Sequence, residues 1–532
     1  MAYRLEGFAG IGLSDEMLEL LLSEHRQHTL PRLETLWRYF RNPLEVRGQH
    51  LRPAAPNANP GNTGAHHTSG LQRFRSAQED GLPARLTGAP DPAAPLADDR
   101  VRPRREIVIE NDIAWRIQTM IDFMFGKPVQ ILSTASDPIR RREIERVLDA
   151  VWEASGGIAM LQDAALTGHV FGHVDLVLRL NERLLAGGAA RFTAALDTAS
   201  GGDLAHLIRI ETIDPRRGVP IISAADYRVI DGYVIHFDRP LNEVQPVAAH
   251  PPPHDRKSPL SRWRPFRRRS SAAAARRTVT TTEVLGPGRS QVYEQSELVR
   301  DRRSTLLPGI VPVVHIQNLS QPLAYPGLSE VEPLIPLQDE LNTRLSDRAS
   351  RVTMQSFKMY LAKRLEGFER TPIGPGLIWA TDDPDASIET FGGDAESPSE
   401  SEHIAQIREA MDKISAVPPL AGGVIRARVG NLSSATALRV TLLSLLSKTA
   451  RKRVTYGRGI GEMSRMILAA LDRSGAFRTE PGERGVRLIW PDPQGASERE
   501  EIESARGKID LGIPTERVLS ELGYAPSDPG IT

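Results

Sequence analysis

One stretch limits every fold open to this chain. Residues 434–472 read as a single helix, about 60 Å long at 1.5 Å per residue and far longer than the usual three turns. The segment before it, "AVPPLAGGVIRARVGNLSS" (416–434), is built differently. Pro418 and Pro419 stop a preceding helix, Gly422 and Gly423 follow, and Arg426 and Arg428 stand two positions apart. Gly457, Gly459 and Gly461 interrupt the long helix at up to ~1 kcal/mol each against alanine, so they mark a bend or close packing.

The rest of the chain sorts by period and punctuation. Residues 14–41 read as two helices, the first capped by Ser14, with Pro31 interrupting between them. Residues 43–104 turn rich in Pro, Ala, Gly and Asn and lose periodicity, which reads as a long loop or disordered insertion. Residues 105–327 are mixed. "IVIENDIAWRIQTMIDFMFGKPVQI" reads as a helix ending at Gly126. "VDLVLRL", "AHLIRIETI", "DYRVIDGYVIHFD" and "VPVVHIQNL" read as strands, the third around an Asp-Gly turn. Within this region, 256–277 is dense in arginine and proline: a solvated loop, or a surface for a polyanion.

From 328 a helical pattern takes over, with Leu334, Leu337, Leu341 and Leu345 on one stripe and Arg344, Arg348 and Arg351 on a second. It opens at a Ser329/Glu332 capping box or at Pro336. Short strand-like pieces fill 354–397, and a helix opens at Ser399 with Glu402 completing a capping box. The chain closes with a strand, a turn and two helices. The expected class is α+β, mainly helical.

Composition excludes more chemistry than it offers. Of 532 residues none is cysteine, so disulfides, thiol catalysis and Cys-ligated metals are ruled out. Lys plus Arg (67) balance Asp plus Glu (67), which argues against a surface basic all over but leaves room for a local basic ring. The first residues lack a signal-peptide core and no run reaches membrane-span length, so the expectation is a cytoplasmic origin. No phosphate-cradling loop, dinucleotide fingerprint, nucleophile elbow or zinc-protease motif occurs. His169 and His173 would share a helix face, but with no evident third ligand they read as ordinary packing. Asp382, Asp383 and Asp385 cluster in a stretch without a calcium loop's glycine and distal glutamate; they read as a turn between strands, or as an acidic docking surface.

Four stretches, in this order, resemble the portal proteins of tailed bacteriophages of the siphophage type: "NDIAWRIQTMIDFMFGKPV" (111–129), "GLSEVEPLIPLQDELNTRLSDRAS" (327–350), "GNLSSATALRVTLLSLLSKT" (430–449) and "LIWPDPQGASEREEIESARGKIDLGIPTERVLSELGY" (488–524). The likeness spans about 105–530 apart from the basic insertion; the 43–104 stretch departs from the pattern.

The resemblance implies a portal fold of wing, stem, clip and crown around a central channel. Its divisions would be 1–42 N-terminal helices at the wing periphery, 43–104 loop, 105–327 wing, 328–353 stem helix, 354–397 clip, 398–416 second stem helix, 417–433 tunnel loop, 434–474 long wing helix and 475–532 crown. It implies a dodecameric ring at one capsid vertex, assembled in the host cytoplasm and kept in the virion. Double-stranded DNA is packaged through it by a terminase motor and later ejected. The implied partners are the chain itself, duplex DNA without sequence preference, the terminase large subunit, a head–tail connector, and major capsid and scaffolding proteins. No membrane, catalytic residue, cofactor or metal is implied. The alternative is a ring-forming adaptor or scaffold that does not contact DNA.

In such a ring each loop recurs around the bore. If the loop is extended, Val424, Arg426 and Arg428 fall on one side, and two arginine rings would face phosphates that recur every ~1.7 Å of duplex. Gly422 and Gly423 would let the loop follow the groove and release it. The bland alternative pairs these arginines with acids of neighbouring subunits. The Arg344, Arg348 and Arg351 stripe has the same two readings, with Asp339, Glu340 and Asp347 beside it.

Overall fold

A computed structural model describes residues 3–46, 74–87, 106–197, 202–240, 278–356, 359–363, 387–391, 397–423, 435–493, 498–515 and 518–519. Helix α1 (Asp15–Glu24) starts where Ser14 Oγ accepts the Met17 N–H at 3.2 Å. Pro31 causes no interruption. Residues His25–Thr29 widen into one π turn, and Pro31 falls in the first turn of α2 (Leu30–Arg41), where its missing N–H removes no bond. Part of the 43–104 stretch is also built. Strand β1 (Leu44–Val46) pairs antiparallel with β2 (Phe74–Ser76), and a 3-10 turn leads into the short α3 (Ala84–Thr87).

Helix α4 (Asp112–Phe125) begins later than its apolar pattern predicts, because Asn111 caps it through the Ala114 N–H. Then come β3 (Gln130–Ser133), α5 (Pro138–Ala154), α6 (Gly157–Phe171) and β4 (His173–Leu180). Short helices α7 (Glu182–Leu185), α8 (Gly188–Asp197) and α9 (Gly202–Leu207) lead to β5 (Ile208–Ile213). The next strands are β6 (Gly218–Ile222), β7 (Ile230–Pro240), β8 (Thr278–Gly286), β9 (Arg289–Glu294), β10 (Glu297–Arg303) and β11 (Val313–Gln317). The Asp231-Gly232 pair makes no turn: β7 runs straight through it, and the hairpin from β6 turns earlier, where Asp226 Oδ1 accepts the Arg228 N–H.

The strands form two sheets in contact. One is antiparallel in the order β10-β9-β8-β7-β6, the other in the order β11-β4-β5. Alternation gives the first sheet two apolar faces. Val219, Val234, Val284 and Tyr293 meet Leu5, Phe8, Leu18 and Leu22 of the N-terminal helices. Tyr233, Ile235 and Leu285, on the other face, meet Val177, Ile213 and Val313 of the second sheet.

Helices dominate the remainder. A 3-10 turn (Glu332–Leu334) opens α10 (Ile335–Ser356). Strands β12 (Met359–Lys363) and β13 (Ser387–Phe391) pair antiparallel, and α11 (Pro398–Ser415) comes after them. The long element is α12 (Ala435–Ser474), 40 residues without a break. Of its glycines Gly459 serves close packing: a Cβ there would fall 2.3 Å from Ile316 of β11, whereas Gly457 and Gly461 have room for one. Ile460, Met463, Ile467 and Leu471 of α12 share the main core with residues of α4, α5, α6 and β4. Strand β14 (Val486–Ile489) pairs with β3, and α13 (Glu498–Asp510) comes last. The fold is α+β and mainly helical.

Both expected capping boxes are corrected. Ser329 Oγ does accept the N–H groups of Val331 and Glu332, but the Glu332 carboxylate turns outward to Arg32 instead of closing the box. Helix α11 starts behind Ser397 with Pro398 in its first turn, one residue before Ser399, and Ser397 makes no side-chain cap bond.

Candidate functional site

Helix α10 carries a polar ladder. Gln338, Asn342 and Ser346 are fully buried, and with Ser350 they recur every four residues. Residues 106–111 run extended beside them, and alternate N–H groups donate into the helix: Glu106 to Ser350 Oγ (3.1 Å), Val108 to Ser346 Oγ (3.0 Å) and Glu110 to Asn342 Oδ1 (3.0 Å). Ile113 N–H completes the set at Gln338 Oε1. The periods nearly match. Two extended residues advance ~6.6 Å and four helical residues ~6.0 Å. Buried Gln78 joins the ladder, accepting from Asn342 and donating to Asn111 and the Tyr39 carbonyl. The sequence signal was a polar residue at every fourth position of an otherwise leucine-striped helix.

The arginine stripe of α10 finds carboxylates within the same chain. Arg344 Nε lies 2.7 Å from Glu340, and its Nη1 lies 3.5 Å from Asp347. Arg351 pairs with Glu400 of α11. Arg348 is exposed and forms no ion pair among the described residues. His403 of α11 also reaches Glu340, at 3.2 Å. The hydrogen bond from Arg344 is the largest cause holding the Glu340 carboxyl below its usual range.

The segment that leaves α11 is held by two buried ionic clusters. Ala416 takes a left-handed backbone (φ 61°), Val417 is fully buried with Met120 and Leu445, and Pro419–Gly422 make a 3-10 turn. Gly422 lies under Trp115, where a Cβ would fall 2.2 Å from the ring, and Gly423 takes φ 78°. Arg116, 1% exposed, donates to Ser415 Oγ and the Val417 carbonyl at 3.0 Å each. It also reaches Asp112 at 2.9 Å and Asp412 at 2.6 Å. On the far side, Lys448 of α12 donates to the Ser415 carbonyl (2.9 Å) and to Glu330 Oε2 (2.5 Å). Lys452 Nζ lies 2.7 Å from Glu330 Oε1. The orphan carbonyls at the C-terminus of α11 thus receive fixed cations, which both the helix dipole and hydrogen bonding favour.

Electrostatics sharpen this arrangement. Burial pushes the Glu330 carboxyl up, but Lys452 and Lys448 outweigh it and hold the group at about 2. Desolvation lowers the Lys452 ammonium to about 8 despite Glu330. His169 is fully buried beside them and is lowered by desolvation to about 3; its Nδ1 donates to the Ala165 carbonyl at 2.6 Å. His169 and His173 share no helix face, because Gly172 ends α6 and His173 opens β4. Among the described residues no group of three or more acidic, His or Cys side chains is placed to hold a metal.

A second buried carboxylate escaped the sequence reading, though a lone acid in the apolar run "HVDLVLRL" was the signal. Asp175 is 1% exposed. It accepts from Tyr233 (2.7 Å), Tyr325 (2.8 Å) and His315 Nδ1 (2.6 Å). Burial alone would raise it; His315 leads the groups that lower it to about 2. The pair resembles an acid–base relay, but His315 Nε2 is taken by the Tyr325 carbonyl (2.8 Å), so no ring nitrogen is left to serve a nucleophile. The cluster ties the two sheets together.

Val424, Arg426, Arg428, Asp382, Asp383, Asp385 and the 256–277 insertion lie outside the described residues. No described helix is long and apolar enough to cross a membrane.

Residues 276–523 match the family model described as "Phage portal protein, SPP1 Gp6-like". No curated protein matches the chain. Among solved structures it is similar to a chain of the virion of a native gene transfer agent particle, at 12% identity and TM-score 0.39, covering 78% of this chain and 90% of that one. A chain from the neck of the native particle computed with C12 symmetry is similar at 10% identity and TM-score 0.39, with the same coverage. The matched residues run from the start of β8 through α10, α11 and α12 to α13.

Proposed function

We propose that the chain is the subunit of a portal ring through which double-stranded DNA enters a capsid and later leaves it. The observation that carries this reading is the portal-family match over residues 276–523. In this reading α10 and α11 are the stem, β12 and β13 belong to the clip, 417–433 is the tunnel loop and α12 is the long wing helix. Twelve copies close the ring, and the terminase large subunit and a head–tail connector dock on it. Residues Gly422, Gly423, Val424, Arg426 and Arg428 approach the DNA, while Asp382, Asp383 and Asp385 offer an acidic docking surface. The protein acts as a conduit rather than as an enzyme.

Two features support the reading physically. A loop that bears on moving DNA needs a root that does not yield, and the buried Arg116 and Lys448 contacts grip the chain where the loop departs. A single copy also leaves apolar side chains exposed on α12, among them Val440 (67%), Leu443 (60%) and Val454 (63%), which suits a surface covered by neighbours.

Electron microscopy of the purified full chain tests the ring. The expected class average down the symmetry axis is an annulus with a hole wide enough for duplex DNA; a single-copy globule under every assembly condition overturns the proposal. Packaging with Arg426→Ala/Arg428→Ala tests the loop. Intact rings with altered DNA filling are expected, whereas normal filling at all salt concentrations removes the arginines from DNA handling and favours the adaptor reading.

A further inference from the structure

A cleft of about 880 Å³ opens where the two sheets diverge. Its floor is apolar, with Ile235 and Phe237 of β7 and Leu285 of β8. Arg179 bridges its walls, reaching Glu283 of one sheet at 2.5 Å and Glu211 of the other at 3.0 Å. The rim is basic. Arg300 and Arg302, on one face of β10 by strand alternation, stand there with Arg303 and Arg183. All four are exposed, and none forms an ion pair among the described residues. Asp301 points to the other face, where Arg289 takes it. The Thr281 hydroxyl, on the cleft face of β8, is sealed from solvent and has no hydrogen-bond partner among the described residues.

The strand that carries these arginines ends its sheet. Among the described residues strand β10 pairs only with β9, which leaves its outer backbone groups open, and Val299 stands 58% exposed at a break in register. The opposite edge strand is treated differently: β6 carries Pro220, which has no N–H to offer a further strand. Positive charge on β10 blocks the pairing of two such edges, yet it favours a strand of opposite sign.

We propose that the β10 edge, with its exposed arginines, binds an acidic, extended peptide of a partner protein. The peptide would add as a sixth strand and alternate carboxylates with apolar side chains. Its backbone pairs with the outer edge of β10, its carboxylates meet Arg300 and Arg302, and its apolar residues turn to the other face, on the side of Leu298. The seven residues of β10 offer ~23 Å of edge. The inference is independent of whether 417–433 handles DNA.

The test uses the full chain and a fluorescein-labelled peptide of alternating glutamate and valine. Polyglutamate of equal length and single-stranded DNA serve as competitors. Saturable binding is expected, with hydrogen-exchange protection appearing across 297–303. Arg300→Glu/Arg302→Glu should weaken binding about tenfold or more, as loss of charge-assisted contacts does. Its melting temperature should hold, since both side chains are exposed. Absence of saturable binding, or of protection in β10, overturns the proposal. Equal competition by polyglutamate or DNA reduces the site to charge alone and overturns it too. If assembled rings exclude the peptide and neighbouring copies cross-link at β10, the edge belongs to a second copy and the proposal fails.

Discussion

Glu330 and Asp175 are both buried carboxylates held at about 2, but by different company. Glu330 at the loop root faces two lysines and little else. Asp175 between the sheets faces two tyrosine hydroxyls and one histidine nitrogen. The first cluster is ionic and its partners have no substitute. In the second, most of the donors are neutral, and the hydroxyls can turn. A carboxylate that neutralises two buried lysines should therefore tolerate loss of its charge less than one that shares its oxygens between a histidine and two hydroxyls.

The largest expected effect is Glu330→Gln. It leaves Lys448 and Lys452 buried without a counter-charge, a fault that costs about 3–5 kcal/mol. Asp175→Asn keeps an acceptor for His315 and Tyr325 while the Tyr233 hydroxyl reverses, so its cost should stay near 1–3 kcal/mol. Urea titration of both variants ranks them; equal losses break the comparison.

Proton linkage sharpens it further. A folded-state pKa below the unfolded value makes stability rise with pH between the two. In the native protein Glu330 contributes above its ordinary 4.5 and loses that contribution as pH falls toward about 2. Lys452, lowered from 10.5 to about 8, makes stability rise with pH across that interval. Removing Glu330 removes the group that raises Lys452, so the variant sheds its buried charge at lower pH than the native protein. The Glu330→Gln deficit should thus be greatest between the ordinary glutamate value of 4.5 and the variant's Lys452 value, shrink below 4.5, shrink again as pH rises to about 8, and stay level above that. The Asp175→Asn deficit should shrink only below the ordinary aspartate value of 3.8. Stability curves from about pH 2 to 10.5 decide this, a range that spans the quoted values. A deficit for Glu330→Gln that does not shrink as pH rises toward about 8 removes Lys452 from the account.

The elements that sequence resolves best are those whose neighbours are near in the chain. The α12 helix begins and ends within two residues of its expected 434–472 bounds, because its apolar period needs no distant partner to be read. Strands β5 and β11 likewise lie inside the apolar runs that predict them, and β4 begins one residue before its run. What stayed hidden depends on distant pairing. Pro31 is absorbed by a π turn five residues wide, which local rules treat as a break. Asp231-Gly232 reads as a turn by itself, but β6 pairs across it, taking up Asp231 in a register shift. Arg116 and Lys448 meet at Ser415 from opposite ends of the sequence, so the loop's hinge-like glycines gave no hint of the grip behind them.

The smallest expected effect lies on the exposed side of α10. Arg344 and Glu340 each leave 37% of the side chain in water, and such pairs are screened and entropically costly to hold. After that discount, Arg344→Ala should change the stability of the single chain by under ~0.5 kcal/mol. The same substitution measured by sedimentation separates the two readings of the stripe. If Arg344 serves mainly Glu340 and Asp347 of its own chain, ring assembly is unchanged. If it also meets a neighbouring subunit, rings weaken while the urea midpoint holds. A stability loss as large as that of Glu330→Gln would mean that exposure is a poor guide to which charges matter here, and the contrast between buried and exposed clusters would fall.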